Sequence, residues 1–387
     1  MAETLPAALW TQRKDLAGLV RSLGPGNARY VGGAVRDTLM GLPVKDIDMA
    51  TLLPPAEVMA RLDKAHIGHV PTGIAHGTVT AILREGPVEI TTLRHDVSTD
   101  GRRATVAFAD DWREDAARRD FTINALYADP SSLEVFDWFG GLDDLAARRV
   151  RFIGDARQRI REDHLRILRY FRFQARFGTQ PADEEAESAC ADLAATLKGL
   201  SRERVGMETM NLLALPDPAP TVARMAELGV LPVILPEARP EALAALVAQE
   251  QRQHIAPDAI RRLAALLPAD ATLAEQIAAR FRLSGAQKRR LASAGKRGDA
   301  AGEPRALAYR LGREQALDRL LIAGADVSAL EGWDIPQFPL KGGDIVARGV
   351  KAGPEVARTL RAVEDRWIAE GFPDAARARA LLDEALD

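Results

Sequence analysis

Cysteine is almost missing from this chain. Cys190 is the only one in 387 residues, so no intramolecular disulfide can form. Aromatic residues are scarce at 5%, while Ala, Leu, Arg and Glu are plentiful, which favours helices. There is no excess of charge of either sign. A net charge of −3 excludes a uniformly basic nucleic-acid coat, so any RNA surface has to be a local patch. No apolar run approaches membrane-spanning length, and the opening MAETLPAALW lacks a signal-peptide pattern. The expectation is a soluble, cytoplasmic protein without a membrane partner. What remains is ordinary globular composition, 47% hydrophobic and 28% charged, in a chain long enough for two or three domains.

One stretch organises the rest: Arg29 to Thr51, RYVGGAVRDTLMGLPVKDIDMAT. Tyr30 and Val31 end a strand, Gly32 and Gly33 turn tightly, and Ala34 to Met40 reads as a helix stopped by Gly41-Leu42-Pro43. A helix leaving a glycine turn points free N–H groups outward, which suits phosphate. Arg36 sits in the first turn against the helix dipole, so an external partner is expected for it. Asp46 and Asp48 alternate along the next strand and so project from one face. Two carboxylates that close repel unless a cation lies between them, and hard oxygen ligands suit Mg²⁺. Either feature alone is ordinary, a turn or a solvated strand end. Together they form the set that metal-assisted phosphoryl transfer uses.

GGAVRD followed by DID resembles the first motif of the class II tRNA nucleotidyltransferases and bacterial poly(A) polymerases, a branch of the polymerase β-like superfamily. The resemblance implies an α+β fold: a mixed-sheet catalytic head over residues 1–147, a helical nucleotide-selecting neck over 148–215, and a helical body and tail over 216–387 that bind tRNA. It extends most strongly over about residues 28 to 210. EITTLR, at Glu89 to Arg94, fits it. Glu89 is either a third acid near the metal or a surface strand residue, and the second reading is the simpler. His95 to Asp115 reads as a long polar loop. DVSTDGRRATVAF within it resembles the mobile loop of CCA-adding members. RRDFTINAL resembles the second motif, which implies Arg119 as a triphosphate ligand and Asn124 as a residue fixing sugar or loop. Phe121, Ala125 and Leu126 would share a buried helical face.

From Arg148 to Arg176 the chain carries ten arginines against three acids, a local positive run of the kind that draws anions. On one continuous helix Asp163, Arg166 and Arg169 would lie on one side, with Arg172 continuing the drift. The simple reading is a salt-bridged amphipathic helix. EDHLRILRYFRF also resembles the family's base-selecting motif. That resemblance implies that Asp163 and Arg166 recognise C and then A by hydrogen bonding, with Arg169 and Arg172 steadying them or reaching phosphate. Gly32, Gly33, Arg36 and Arg119 would cradle the triphosphate, and Asp46 and Asp48 would hold two Mg²⁺ ions. CTP and ATP are then the substrates and tRNA the partner. Poly(A) polymerase, a CC-only or A-only enzyme, and a non-catalytic RNA-binding protein are the alternatives. No His-Asp phosphohydrolase pattern occurs in the tail, so no accessory phosphatase is expected. Beyond Pro216, helices are expected at 219–228, 239–251, 256–267, 272–282, 284–295, 304–312 and 314–323, and a short amphipathic helix at 5–23.

Overall fold

The computed structural model describes residues 3–100, 103–299 and 303–386, with the side chains of 95–107 and 299 outside that description. The chain divides into two units. The first holds residues 1–208 and 224–234, the second 209–223 and 235–387. The first unit takes in the expected head, 1–147, and the expected neck as far as residue 208, while 209–215 fall in the second.

A seven-stranded mixed sheet forms the head. Its strands are β1 (Ala28–Val31), β2 (Ile47–Thr51), β3 (Gly68–Gly73), β4 (Thr78–Ile82), β5 (Val88–Thr92), β8 (Tyr127–Ala128) and β9 (Val135–Phe136), in the order β3-β4-β5-β2-β1-β8-β9. Only β2 and β5 pair in parallel, and Asp48 lies opposite Glu89 in their register. β6 (Arg94–Asp100) and β7 (Arg103–Phe108) form a separate hairpin. The stretch expected as a long polar loop is therefore largely extended and paired in its described part. Its alternation was hidden by charges of both signs, and its tip, Gly101 and Arg102, lies outside the described residues.

Alternation then sorts the sheet's two faces. One face sends Ile47, Met49, Val79, Ala81, Val88 and Ile90 into the main core. The helices α1 (Lys14–Leu23) and α3 (Pro55–Lys64) close that core with Leu16, Leu19, Leu23, Val58 and Leu62. The expected helix at 5–23 is present only from Lys14. Leu5 instead donates its backbone N–H to Leu133, and Pro6 lacks the N–H a helix interior needs. On the opposite face Val31, Ala50, Ala125 and Tyr127 form a smaller core with Trp112, Phe136 and Trp138. Trp112 opens α4 (Trp112–Ala117). Phe121, Ala125 and Leu126 are buried as expected, but not by a helix. A single 3-10 turn at Thr122–Asn124 leads straight into β8.

Helices then follow: α5 (Gly141–Ala146), α6 (Ala156–Glu162), α7 (Arg166–Phe177), α8 (Glu184–Leu193) and α9 (Arg202–Leu213). α7 buries Tyr170, Phe171, Phe173 and Phe177. Phe121 of the head lies 5.0 Å from both Phe152 and Phe173, centroid to centroid, which is why head and neck share one core.

Among the described residues, the named elements of the second unit are all helices, joined by irregular stretches such as 331–341. Its helices include Pro240–Arg252, Ala259–Leu266, Ala271–Arg280, Gly285–Ala294, Pro304–Leu311 and Arg313–Ile322, close to the expected bounds. A buried ionic cluster sits inside it. Arg261 and Arg262 share Glu250, and Arg261 and Arg290 share Asp318.

Candidate active site in the head

Gly32 has φ 68° and caps α2 (Gly33–Leu39). A side chain there would be strained, and its Cβ would lie 3.6 Å from the Arg119 guanidinium. The turn thus brings open backbone beside a cation. Across from it, Asp48 on β2 lies half-buried and Asp46 exposed just before the strand. Glu89 stands beside Asp48 on the neighbouring strand. These elements enclose a cleft of 380 Å³, lined among others by Asp48, Glu89, Thr78, Thr91, Arg118 and Arg119. Burial raises the Asp48 pKa, the charges of Glu89 and Asp46 raise it further, and Arg119 opposes them. Among the described residues, no hydrogen bond or ion pair holds the carboxylates of Asp46, Asp48 or Glu89. Such an acid excess fits a hard cation. No group of three metal-ligating side chains is preformed among the described residues.

The arginines facing these acids are fixed from behind. Asp115, which the sequence did not single out, accepts hydrogen bonds from Arg118 Nε at 2.8 Å, Arg119 Nη2 at 3.2 Å and the Tyr127 hydroxyl at 2.5 Å. Burial alone would raise its pKa. Arg119 and Arg118, with the Tyr127 hydrogen bond, overcome that and hold it below the usual carboxylate range. Arg119 also donates to the Tyr127 hydroxyl at 2.9 Å. Its guanidinium is held in position before any ligand arrives.

Arg36 departs from its expected role. It is only 5% exposed, pairs with Asp37 at 2.6 Å, hydrogen-bonds Asn124 and lies 4.1 Å over Phe177. It braces α2 against the second motif and α7, and it has little surface left for a phosphate. Its external partner is Asn124, 88 residues away. Asn124 in turn donates to Asp120 at 2.9 Å, and Asp120 accepts two bonds from Arg169, at 2.9 and 2.6 Å. Burial works against the Asp120 charge, but Arg169 and Asn124 bring its pKa down to about 2.

The arginine run is matched by acids from other parts of the chain. Arg149 and Arg151 meet Asp144, Arg157 meets Asp192, Arg172 meets Glu208 and Arg176 meets Asp37. Arg169 and Arg172 are therefore both held in ion pairs, with Asp120 and Glu208. Asp163 is not on the helix expected for it. It ends α6 in extended geometry, and its carboxylate accepts the Leu165 N–H at 3.1 Å. That side-chain turn breaks the chain before α7 starts at Arg166. Its other oxygen takes a bond from Arg204 at 2.7 Å, a partner the sequence did not reveal. Arg166 bonds Glu162 at 2.6 Å and donates to the Arg118 carbonyl at 3.3 Å. Arg159 donates to the Arg119 carbonyl at 2.7 Å. The neck is thus tied to the backbone of the cleft arginines themselves.

Known proteins share these features. A family model described as "Poly A polymerase head domain" matches residues 28–151. A second, "Probable RNA and SrmB- binding site of polymerase A", matches residues 182–241. The mitochondrial CCA tRNA nucleotidyltransferase 1 of Homo sapiens is 33% identical over 363 residues, covering 89% of this chain and 83% of its own. That of Danio rerio is 35% identical over 359 residues, covering 88% and 83%. The crystal structure of the Bacillus stearothermophilus CCA-adding enzyme in complex with CTP superposes with a TM-score of 0.71, at 26% identity over 96% of this chain and 97% of that one. Among the described residues, no helix is long and apolar enough to cross a membrane. A third of all positions identical along nearly the whole chain, with the head-domain match spanning the glycine turn, both aspartates and Arg119, means that this chain belongs to the CCA tRNA nucleotidyltransferase family.

Proposed function

We propose that the chain adds CCA to the 3′ end of tRNA without a nucleic-acid template, using CTP and ATP and releasing pyrophosphate. The observation that carries this is the cleft: an unmatched acid group on β2 and β5 facing two prepositioned arginines across a glycine turn. Asp46 and Asp48 would hold Mg²⁺, which when bound supplies charge neutralisation of the triphosphate and lowers the pKa of the attacking 3′-hydroxyl. Arg119 and Arg118, held by Asp115, take the triphosphate oxygens. Gly32 and Gly33 let the backbone approach them. Glu89 stands next to Asp48 and adds to the field that draws a cation in.

Base choice falls to Asp163, Arg166 and Arg204. Asp163 accepts and the two arginines donate, so together they can complement a base edge. A base with the wrong pattern leaves polar groups unpaired, at about 1–3 kcal/mol each. Both the Asp163 and Arg204 side chains are about a third exposed, so the pair can exchange its bond for a base without unfolding anything. The hydrogen bonds from Arg166 and Arg159 to the backbone of Arg118 and Arg119 keep this selection next to the phosphate-binding side chains.

The test is extension of tRNA lacking its CCA, with Mg²⁺ and CTP alone, ATP alone, or both. Two residues with CTP and a single further A with both, followed by arrest, are expected. A long ladder from ATP alone would make the chain a poly(A) polymerase. Growth by C only, or only on tRNA already ending in CC, would assign it part of the pathway. No growth despite tight tRNA binding would leave a binding protein.

A further inference from the structure

The acid row of the cleft does not stop at Glu89. In the sheet register Asp48 faces Glu89, Glu89 faces Thr80, and Thr80 faces Val70 at the β3 edge. These four side chains share one face. The adjoining row runs Thr91, Thr78, Gly73. The helix-covered side is the other one, as His69 shows by reaching Asp63 on α3 at 3.7 Å. A bulge between Val70 and Gly73 sets Thr72 over Thr80, with the hydroxyls 2.7 Å apart. Thr78 and Thr91 pair likewise at 3.1 Å, and both line the cleft. Beyond them Val70 is 46% exposed and Ile82 51%. Ile82 is uncovered because its partner across the ladder is Gly68. From residue 68 to 82, GHVPTGIAHGTVTAI contains no acid and no Lys or Arg.

This surface has a definite character. It begins at the reacting carboxylates, continues as hydroxyls, and ends as a neutral apolar shelf about 14 Å away, three strand spacings of about 4.8 Å. Residues 68–82 themselves offer a phosphate no Lys or Arg; the cations among the described residues lie at the cleft end, where Arg94 donates to the His76 carbonyl at 2.9 Å beside Arg118 and Arg119. Unstacked bases and ribose hydroxyls would find both flat apolar contact and hydrogen-bonding partners, the combination on which single-stranded RNA is held.

We propose that the open face of β5, β4 and β3 is the track for the acceptor strand. The terminal ribose lies by Asp48 and Glu89, the preceding sugars lie along the threonine pairs, and a base rests on Val70 and Ile82. The proposal rests on the reading of the chain as an RNA nucleotidyltransferase and adds where the growing end lies. The face is continuous with the cleft, which is why its occupant is the strand being extended and not a separate ligand.

Val70→Asp and Ile82→Asp place charge on exposed positions, so melting temperature should hold. In the extension assay the KM for tRNA lacking CCA should rise about tenfold, equivalent to ~1.4 kcal/mol, with the KM for CTP unchanged. 4-Thiouridine placed next to the primer end should crosslink within residues 68–82 of the wild type. Unchanged primer KM without crosslinking overturns the track. A parallel rise in the CTP KM would assign the row to the nucleotide and overturn it as well. Self-association of the wild type that either variant abolishes, with an unchanged primer KM, would give the shelf to a second copy. A wild type that extends no primer overturns the function itself, and the track with it.

Discussion

The cleft and the neck hold charge in opposite ways. In the cleft Asp48 and Glu89 lie side by side with Asp46 exposed just before the strand, and the Asp48 carboxyl is pushed up by burial and by these neighbours. Along the seam where the neck arginines meet the head, each buried acid among the described residues has a guanidinium. Asp120 takes two bonds from Arg169 and is brought down to about 2, and Glu208 meets Arg172 at 2.6 Å. Both regions lie in the same unit and draw on the same residue types. A matched pair spends its charge on the fold, while an unmatched group keeps its charge for something that binds later. By that measure the acids to test for phosphoryl transfer are those the fold leaves unmatched, and the buried acids paired to neck arginines are mainly tests of stability.

Removing a cleft acid should have the largest effect on activity and little on folding. Asp48→Asn should cut nucleotide addition by about a thousandfold or more, the several kcal/mol a lost metal ligand represents. Because the Asp48 pKa is raised in the fold, its charge costs stability at neutral pH, and that cost fades as pH falls through the folded value. The variant should therefore melt at the same temperature as the wild type or higher. Single-turnover extension and a thermal melt on one preparation check both. A large drop in melting temperature would place Asp48 among the structural acids and erase the contrast.

Asp120→Ala should do the reverse. It removes both hydrogen bonds of Arg169, leaving that side chain Glu208 at 3.6 Å, and takes the acceptor from the Asn124 amide; breaking such a buried pair costs about 3–5 kcal/mol. The pH dependence carries a signature of its own. Asp120 titrates lower in the fold than in the unfolded chain. Its contribution is complete above the unfolded value, near 3.8, and is lost as pH falls toward about 2. Urea unfolding of the wild type should weaken across that window, and Asp120→Asn should flatten the slope there. An unchanged slope would mean that the Arg169 bond is not maintained in solution.

Arg166 lies between the two regions, matched by Glu162 yet tied to the cleft backbone. Arg166→Ala leaves Glu162 its second partner, Arg159, at 2.6 Å, so the fold should tolerate the loss. Discrimination of CTP and ATP against UTP and GTP should relax about tenfold, near the low end of what one unpaired buried polar group costs. Competition among the four nucleotides on a single tRNA measures it. Unchanged preference would move base choice away from Arg166.

How much of this the sequence showed depended on range. The strand that carries Asp48 was legible because alternation is local, although it begins at Ile47 and leaves Asp46 just outside it, and the tail helices were legible because their periodicity is local too. The place of Glu89 beside Asp48 was not legible because it comes from a parallel pairing with a strand some forty residues on. Arg36 was misread for a related reason: its partners Asn124 and Phe177 are remote, and only they reveal that its charge is buried. Asp115 and Asp120 look like ordinary surface acids until the fold surrounds them with Arg118, Arg119 and Arg169. The helix supposed to carry Asp163 together with Arg166 failed on local grounds, since the Asp163 carboxylate satisfies the Leu165 N–H and breaks the chain there.

Within the neck, the comparison sharpens at its exposed edge. Arg157 and Asp192 pair at 2.6 Å, but their side chains are 34% and 57% exposed. In high dielectric and salt such a pair contributes at most about 1 kcal/mol. Arg157→Ala should therefore lower stability by less than about 1 kcal/mol and leave extension and base choice unchanged. Its effect should shrink as salt rises, whereas that of Asp120→Ala should persist, because screening reaches exposed pairs far more than buried ones. Denaturant titrations of both variants at low and high salt provide the test. If Arg157→Ala cost as much as Asp120→Ala, burial would not be what separates structural arginines from idle ones. The assignment of the neck's charge to the fold would then have to rest on geometry alone.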